Sequence, residues 1–245
     1  MAGQVLVDGR RVDKPVTRVS PDADLQVRGR RRYASRGGHK LEAAFDHFGV
    51  AVDGRVAMDC GASTGGFTDC LLQRGATLVY AVEAGYGQLV GRLRVDPRVR
   101  NLERTNLGDL TREALDPPPS LITLDLSYLS LTAALPLASA LLGPQGDVLA
   151  LLKPLFEVDD AVARRTGQVS EPGLVVEALR RVLTAGQACG LTPRGAAKLA
   201  LRPRHGVSEL FVHFALGPRL AAWNPDNTSL RAVLDGPGVG RTDEG

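Results

Sequence analysis

Asp59, Glu83, Asp125 and Lys153 each end a short apolar run, VAMD, VYAVE, ITLD and ALLK. Charged side chains placed that way collect at the carboxyl edge of a parallel sheet, where open α/β proteins bind their ligands. Behind Asp59 come Gly61, Gly65 and Gly66, which let backbone N–H groups at the start of the next helix approach a ligand with no Cβ in the way. The run lacks the GxGxxG spacing of a dinucleotide site, which weighs against NAD or FAD. Glu83 is placed to accept two hydrogen bonds from a ribose diol, its alternative reading being a strand-end acid facing solvent. Glycine turn and strand-end acid together point to an adenosine-bearing cofactor.

A lysine at the end of an apolar run such as VLALL is costly unless it is paired or functional. Burial and a neighbouring carboxylate act in opposite directions on the proton affinity of an amine, so a Lys153 and Asp125 pair is tunable toward proton transfer. A merely structural ion pair is the other reading. The chemistry needs both groups at one crevice, which turns attention to the elements that carry them.

Strands are predicted at 56–59, 78–83, 99–103, 121–126 and 147–153, with helices beginning near Gly66, Tyr86, Leu131 and Glu171. Alternation of this kind predicts a doubly wound, Rossmann-like α/β sheet. Leu41, Ala44, Phe45 and Phe48 recur at three- and four-residue steps and mark a helix with Lys40 in its first turn. LTPRGAAKLAL and ELFVHFAL read as two final strands, a hairpin that adds an antiparallel edge. Before all of these, residues 4–28 alternate as short strands with turns at Asp8-Gly9 and Pro21-Asp22, a small β-rich unit with too few apolar residues for its own core. We therefore expect a small module and connector over 1–33, the main domain over 34–217, and a poorly ordered tail over 218–245, where Pro, Gly, Asn and Asp accumulate.

Lys and Arg number 30 against 27 Asp and Glu, a small excess that matters because it is clustered. Arg28, Arg30, Arg31, Arg32, Arg36 and Lys40 fall in one stretch, and Arg202, Arg204 and His205 in another. Such runs are often solvated loops, but two of them flanking a cofactor domain favour a phosphate-facing, RNA-binding patch. No apolar run approaches the roughly 18 to 20 residues of a membrane span. The N-terminus lacks the pattern of a secretory signal, so a reducing cytoplasm is expected. Cys60, Cys70 and Cys189 are odd in number and lack CxxC spacing, which favours plain thiols over a disulfide framework or a metal site.

The segments SRGGHKL (35–41), DCGASTGGFTD (59–69), AVEAGYGQL (81–89), ERTN (103–106), DLSYLSL (125–131) and KPLFEV (153–158) resemble, in this order, the hemolysin-A-type (TlyA-like) members of the FtsJ-like ribose methyltransferases. The resemblance implies S-adenosylmethionine as cofactor and 2′-O-methylation of a ribose, that of cytidine, in ribosomal RNA or ribosomal subunits. It implies a catalytic tetrad of Lys40, Asp125, Lys153 and Glu209, and a cofactor site lined by Asp59, Gly61, Gly65, Gly66, Phe67, Thr68, Glu83 and Asn106. On that reading Lys153 accepts the hydroxyl proton, Asp125 orients it, and Lys40 and Glu209 hold the ribose. The chain departs from the family pattern at Glu83, where aspartate is common, in the short loop RPRHGVSELF, and in the connector GRRRYAS.

The N-terminal segment AGQVLVDGRRVDKPVTRV resembles the second half of the alpha-L RNA-binding module of ribosomal proteins and pseudouridine synthases. The module's two leading helices are missing, which suggests an upstream start or a genuine truncation. Two further readings stand beside the leading one: a methyltransferase for a non-ribosomal substrate, and a non-catalytic RNA-binding or ribosome-assembly protein. A pore-forming hemolysin finds no support in the hydropathy pattern.

Overall fold

A computed structural model describes residues 5–12, 16–27, 32–166, 169, 171–199, 209–217 and 221–235. The chain divides into two units, Met1–Arg32 and Tyr33–Gly245. In the first, strands β1 (Val5–Val7), β2 (Arg10–Val12) and β3 (Leu25–Val27) form an antiparallel sheet in the order β2-β1-β3. Asp8 and Gly9 join β1 to β2 with φ of 49° and 75°, the pair of left-handed residues that a tight hairpin of native twist requires. Leu6 is buried in this sheet.

The second unit is built on β4 (Val56–Cys60), β5 (Leu78–Glu83), β6 (Val99–Glu103), β7 (Leu121–Leu124), β8 (Gly146–Leu152), β9 (Thr192–Ala197) and β10 (Leu210–Leu216). Their order is β6-β5-β4-β7-β8-β10-β9. The first five run parallel, and β10 enters antiparallel between β8 and β9, so the last two strands make the expected antiparallel edge. β5 and β7 flank β4, which makes the carboxyl end of β4 the point where the winding reverses and a ligand crevice opens.

Helices cover both faces, as the burial of every β4 and β7 residue but Val56 demands. On one face α1 (Gly37–Phe48) and α2 (Gly66–Gln73) bury Leu41, Phe45, Phe67 and Leu71. On the other, α4 (Leu131–Leu141), α6 (Pro172–Ala188) and α7 (Asn227–Asp235) bury Leu135, Leu179 and Leu230. Short helices α3 (Gly91–Arg94) and α5 (Ala161–Thr166) complete the set. Among the described residues no helix is long and apolar enough to cross a membrane.

Three sequence expectations need correction. The helix expected from Tyr86 is a loop followed by α3, because Glu83 takes the Gly85 N–H at 2.8 Å and Glu103 takes those of Gly87 and Leu89, fixing 84–90 in turns. β7 stops at Leu124, so Asp125 lies just beyond the strand, its N–H on the Cys60 carbonyl at 3.0 Å. The tail is not without structure: Trp223 is buried, Asp226 Oδ1 caps α7 through the Ser229 N–H at 2.7 Å, and Leu230 and Val233 face the core three residues apart. Residues 236–245 lie outside the described ones.

Candidate active site

The turn after β4 is shaped by a buried carboxylate. Asp59 is 0% exposed, and its Oδ2 accepts the N–H of Thr68 at 2.8 Å and the Thr68 hydroxyl at 2.6 Å. That latch ties the first turn of α2 to the tip of β4, leaving the opening N–H groups of the helix without intrahelical acceptors. Burial, with Asp125 adding repulsion, pushes Asp59 up to about 7 against the opposing pull of the Thr68 bonds. Two glycines are needed for the fit. Gly61 has φ +89°, and a Cβ there would come within 2.4 Å of the Asp125 carbonyl oxygen; a Cβ on Gly66 would come within 2.1 Å of Ser35 Oγ.

These close approaches leave a cavity of about 280 Å³ at the carboxyl edge. Its wall comes from the turn Gly61 to Thr64, from Gly66 and Phe67, from the connector Ser35 to Gly37, and from Lys40 and Asp125. The connector is held in place: Tyr33 is buried with its ring edge-on to His39 at 5.0 Å, and the Ala34 N–H donates to Asp69 at 2.7 Å. Asp69 also receives Arg92 and Gln73; burial raises its pKa, but these donors outweigh burial and hold it below the usual carboxylate range. A larger hollow of about 440 Å³ lies between α6 and residues 223–230. It lacks the lysine and carboxylate pairs of the smaller one, so we assign the chemistry to the smaller.

Two ion pairs meet this cavity. Lys153, at the end of β8, places Nζ 2.6 Å from Asp125 Oδ1 and donates to the Leu126 carbonyl at 2.9 Å and Ser127 Oγ at 3.0 Å. Lys40 of α1 pairs with Glu209, which directly precedes β10. Lys40 and Asp125 both line the wall, so residues spread from 40 to 209 in sequence converge on one sheet edge. Glu83 stands behind the wall: Oε2 accepts the Ser63 N–H at 2.9 Å, and Oε1 accepts from Gly85 at 2.8 Å and Gln88 Nε2 at 3.4 Å. Asn106, through its N–H and Nδ2, donates to Asp109, and Gly65 and Thr68 are packed behind the turn. A turn whose glycines leave no room for a Cβ, a helix start with free donors and a carboxylate behind the wall fit a ligand carrying both a carboxylate and a ribose diol.

Of the arginines expected to meet RNA, Arg32 and Arg36 are exposed, and Arg36 borders the cavity. Arg28, Arg30, Arg31, Arg202 and Arg204, with His205, lie outside the described residues. Sequence reasoning missed Glu157, Tyr128 and Phe156. Tyr128 is 49% and Phe156 39% exposed, and Phe156 sets its ring 6.0 Å from Lys153 Nζ; an aromatic inside each of DLSYLSL and KPLFEV was the available signal. Glu157 left no local trace, since its partners lie in the first turn of α4, in another segment.

Residues 33–201 match the family of FtsJ-like methyltransferases. The chain is 39% identical over 240 residues to the 16S/23S rRNA (cytidine-2′-O)-methyltransferase TlyA of Mycobacterium tuberculosis, covering 96% of this chain and 90% of that one. It is 34% identical to Hemolysin A of Brachyspira hyodysenteriae over 88% of this chain and 90% of that one. A solved structure from Streptococcus thermophilus, provisionally named a hemolysin, superposes with a TM-score of 0.79 at 35% identity, covering 95% of this chain and 85% of the other.

Proposed function

The chain belongs to the FtsJ-like methyltransferase family, and on that premise we propose that it methylates the 2′-hydroxyl of a cytidine ribose in ribosomal RNA, using S-adenosylmethionine. The observation that carries this reading is the Lys153 and Asp125 pair, 2.6 Å apart, with Asp125 in the wall of the glycine-turn cavity. When bound, S-adenosylmethionine supplies an electrophilic methyl group on a sulfonium. The glycine turn and the start of α2 would hold its carboxylate, and Glu83 its ribose hydroxyls.

A ribose hydroxyl is a poor nucleophile until its proton leaves. Lys153 in its uncharged form accepts that proton. Asp125 and the Leu126 carbonyl aim Nζ and stabilise the ammonium once it forms. Lys40, paired with Glu209, holds the target ribose. In-line displacement demands alignment, and such positioning alone supplies roughly 7 to 11 kcal/mol. The N-terminal sheet and the connector arginines serve as a partial alpha-L RNA-binding module, and the work is done in the cytoplasm, where ribosomal RNA lies.

Purified protein incubated with labelled S-adenosylmethionine and either ribosomal subunits or bare rRNA should put label into RNA at a mapped 2′-O position. Label confined to small molecules would favour a non-ribosomal substrate, and cofactor that fails to bind would leave only an RNA-binding role.

A further inference from the structure

Glu157 takes no part in the chemistry above, yet it is buried, 7% exposed, and bonds to the first turn of α4. Its Oε1 accepts the N–H of Leu131 and its Oε2 that of Thr132 at 3.4 Å. These are the first N–H groups of α4, which the helix cannot satisfy itself; the next, on Ala133, goes to Ser130 Oγ at 3.3 Å. Helix caps normally draw their acids from the same first turn. The first turn of α4 has none, and the carboxylate comes from 26 residues further along the chain.

That contact closes a frame around the ion pair. β7 and β8 are parallel neighbours, so loop 125–130, which starts with Asp125, runs beside loop 153–157, which starts with Lys153. Next to the sheet the two loops are joined by Lys153 bonding Asp125, Leu126 and Ser127. Away from it they are joined by Glu157 on Leu131 and Thr132. Between Lys153 and Glu157 the chain makes one 3-10 turn opened by Pro154, with the Phe156 N–H on the Lys153 carbonyl at 3.0 Å and the Glu157 N–H on that of Pro154 at 2.9 Å. The second join therefore has little slack.

We infer that Glu157 is a positioning residue for the proposed reaction: by clamping the start of α4 it fixes loop 125–130 and, through it, the placement of Asp125 against Lys153. The rate readout of this inference rests on the proposed function; the exchange readout does not. Wild type, Glu157→Gln and Glu157→Asp are compared in single-turnover methyl transfer to rRNA, in S-adenosylmethionine binding, and in amide hydrogen exchange. Glu157→Gln should lower the transfer rate by about tenfold or more, as misplacement on the order of 1 Å can cost that and beyond. KM for RNA and cofactor affinity should stay within about twofold, amides 126–132 should exchange faster, and those of α2 should keep wild-type protection. Glu157→Asp, which retains the charge, should recover part of the rate.

A Gln variant that melts lower yet transfers at the wild-type rate would make Glu157 a plain helix cap and overturn the inference. Wild-type exchange over 126–132 would overturn it as well. Should the Gln variant not fold, the Asp variant carries the same two readouts, and wild-type values in both reject the role. A wild-type protein that transfers no methyl group removes the functional reading instead, and the exchange result still decides whether Glu157 fixes the loop.

Discussion

Lys153 bears most of the proposed chemistry and little of the fold. Its side chain is 15% exposed, and its bonds to Asp125, Leu126 and Ser127 lie on the rim of the sheet. Lys153→Ala should lower methyl transfer by about a hundredfold or more, a hundredfold being the lower end of what a general base contributes, with cofactor affinity nearly unchanged by calorimetry. Transfer close to wild type would remove Lys153 as the base. Asp59 has the opposite character, all fold and no direct contact with the cavity. Its carboxyl, about 7 when folded, lies well above its ordinary 3.8. Between roughly pH 4 and 7 the folded state therefore keeps a proton that the unfolded chain has released, so this group's contribution to stability falls as pH rises through that window and is level above it. Asp59→Asn should flatten that decline relative to wild type, an effect on the order of a few kcal/mol. Urea unfolding at pH 5 and pH 8 measures it, and an identical pH difference in the two proteins would show that Asp59 does not titrate there.

Among the elements, the turn from Gly61 to Gly66 joins fold to site most tightly. Gly61→Ala would meet both a left-handed φ of +89° and the Asp125 carbonyl at 2.4 Å. Either the turn opens or Asp125 moves, so cofactor binding should fall together with stability, the latter by about 1 to 3 kcal/mol. Gly91→Ala, with nothing within 4 Å and an ordinary φ, serves as the control and should leave both intact in calorimetry and denaturant unfolding. The strand tips carrying Asp59, Glu83, Asp125 and Lys153 were legible because each apolar run stops at a charge, and the parallel sheet does the rest. The loop that replaces the helix expected at Tyr86 was not, since it depends on Glu83 and Glu103 taking N–H groups that a helix would have needed. Helix α7 was hidden by the Asn, Asp and Pro residues around it, although Asp226 is a good cap and Leu230 and Val233 are one turn apart. Glu157 illustrates the remaining limit: local sequence cannot announce a cap whose helix lies in another segment.

At the scale of the whole molecule, internal pairing narrows which arginines can meet RNA. The second unit consumes many of its arginines: Arg55 with Asp147, Arg74 with Asp46, Arg92 with Asp69, Arg94 with Glu103 and Arg98 with Asp96. Such pairs cannot also neutralise phosphates without giving up a partner, so Arg92, Arg94 and Arg98 are poor candidates for RNA contact. The clusters at 28–36 and 202–205 are the phosphate contacts we propose. If they serve that role, RNA affinity must fall as salt rises, with a logarithmic slope of about 0.7 to 0.9 per phosphate neutralised. Replacing Arg202 and Arg204 together by alanine should weaken binding and reduce that slope by roughly one to two, while Arg98→Ala should leave the slope unaltered because Arg98 is committed to Asp96 at 2.9 Å. Fluorescence anisotropy with an rRNA fragment, titrated at several salt concentrations, reads both numbers. A slope that drops only in Arg98→Ala would move the RNA contact onto the face bearing α3 and β6, and a slope near zero in the wild-type protein would remove phosphate contacts altogether.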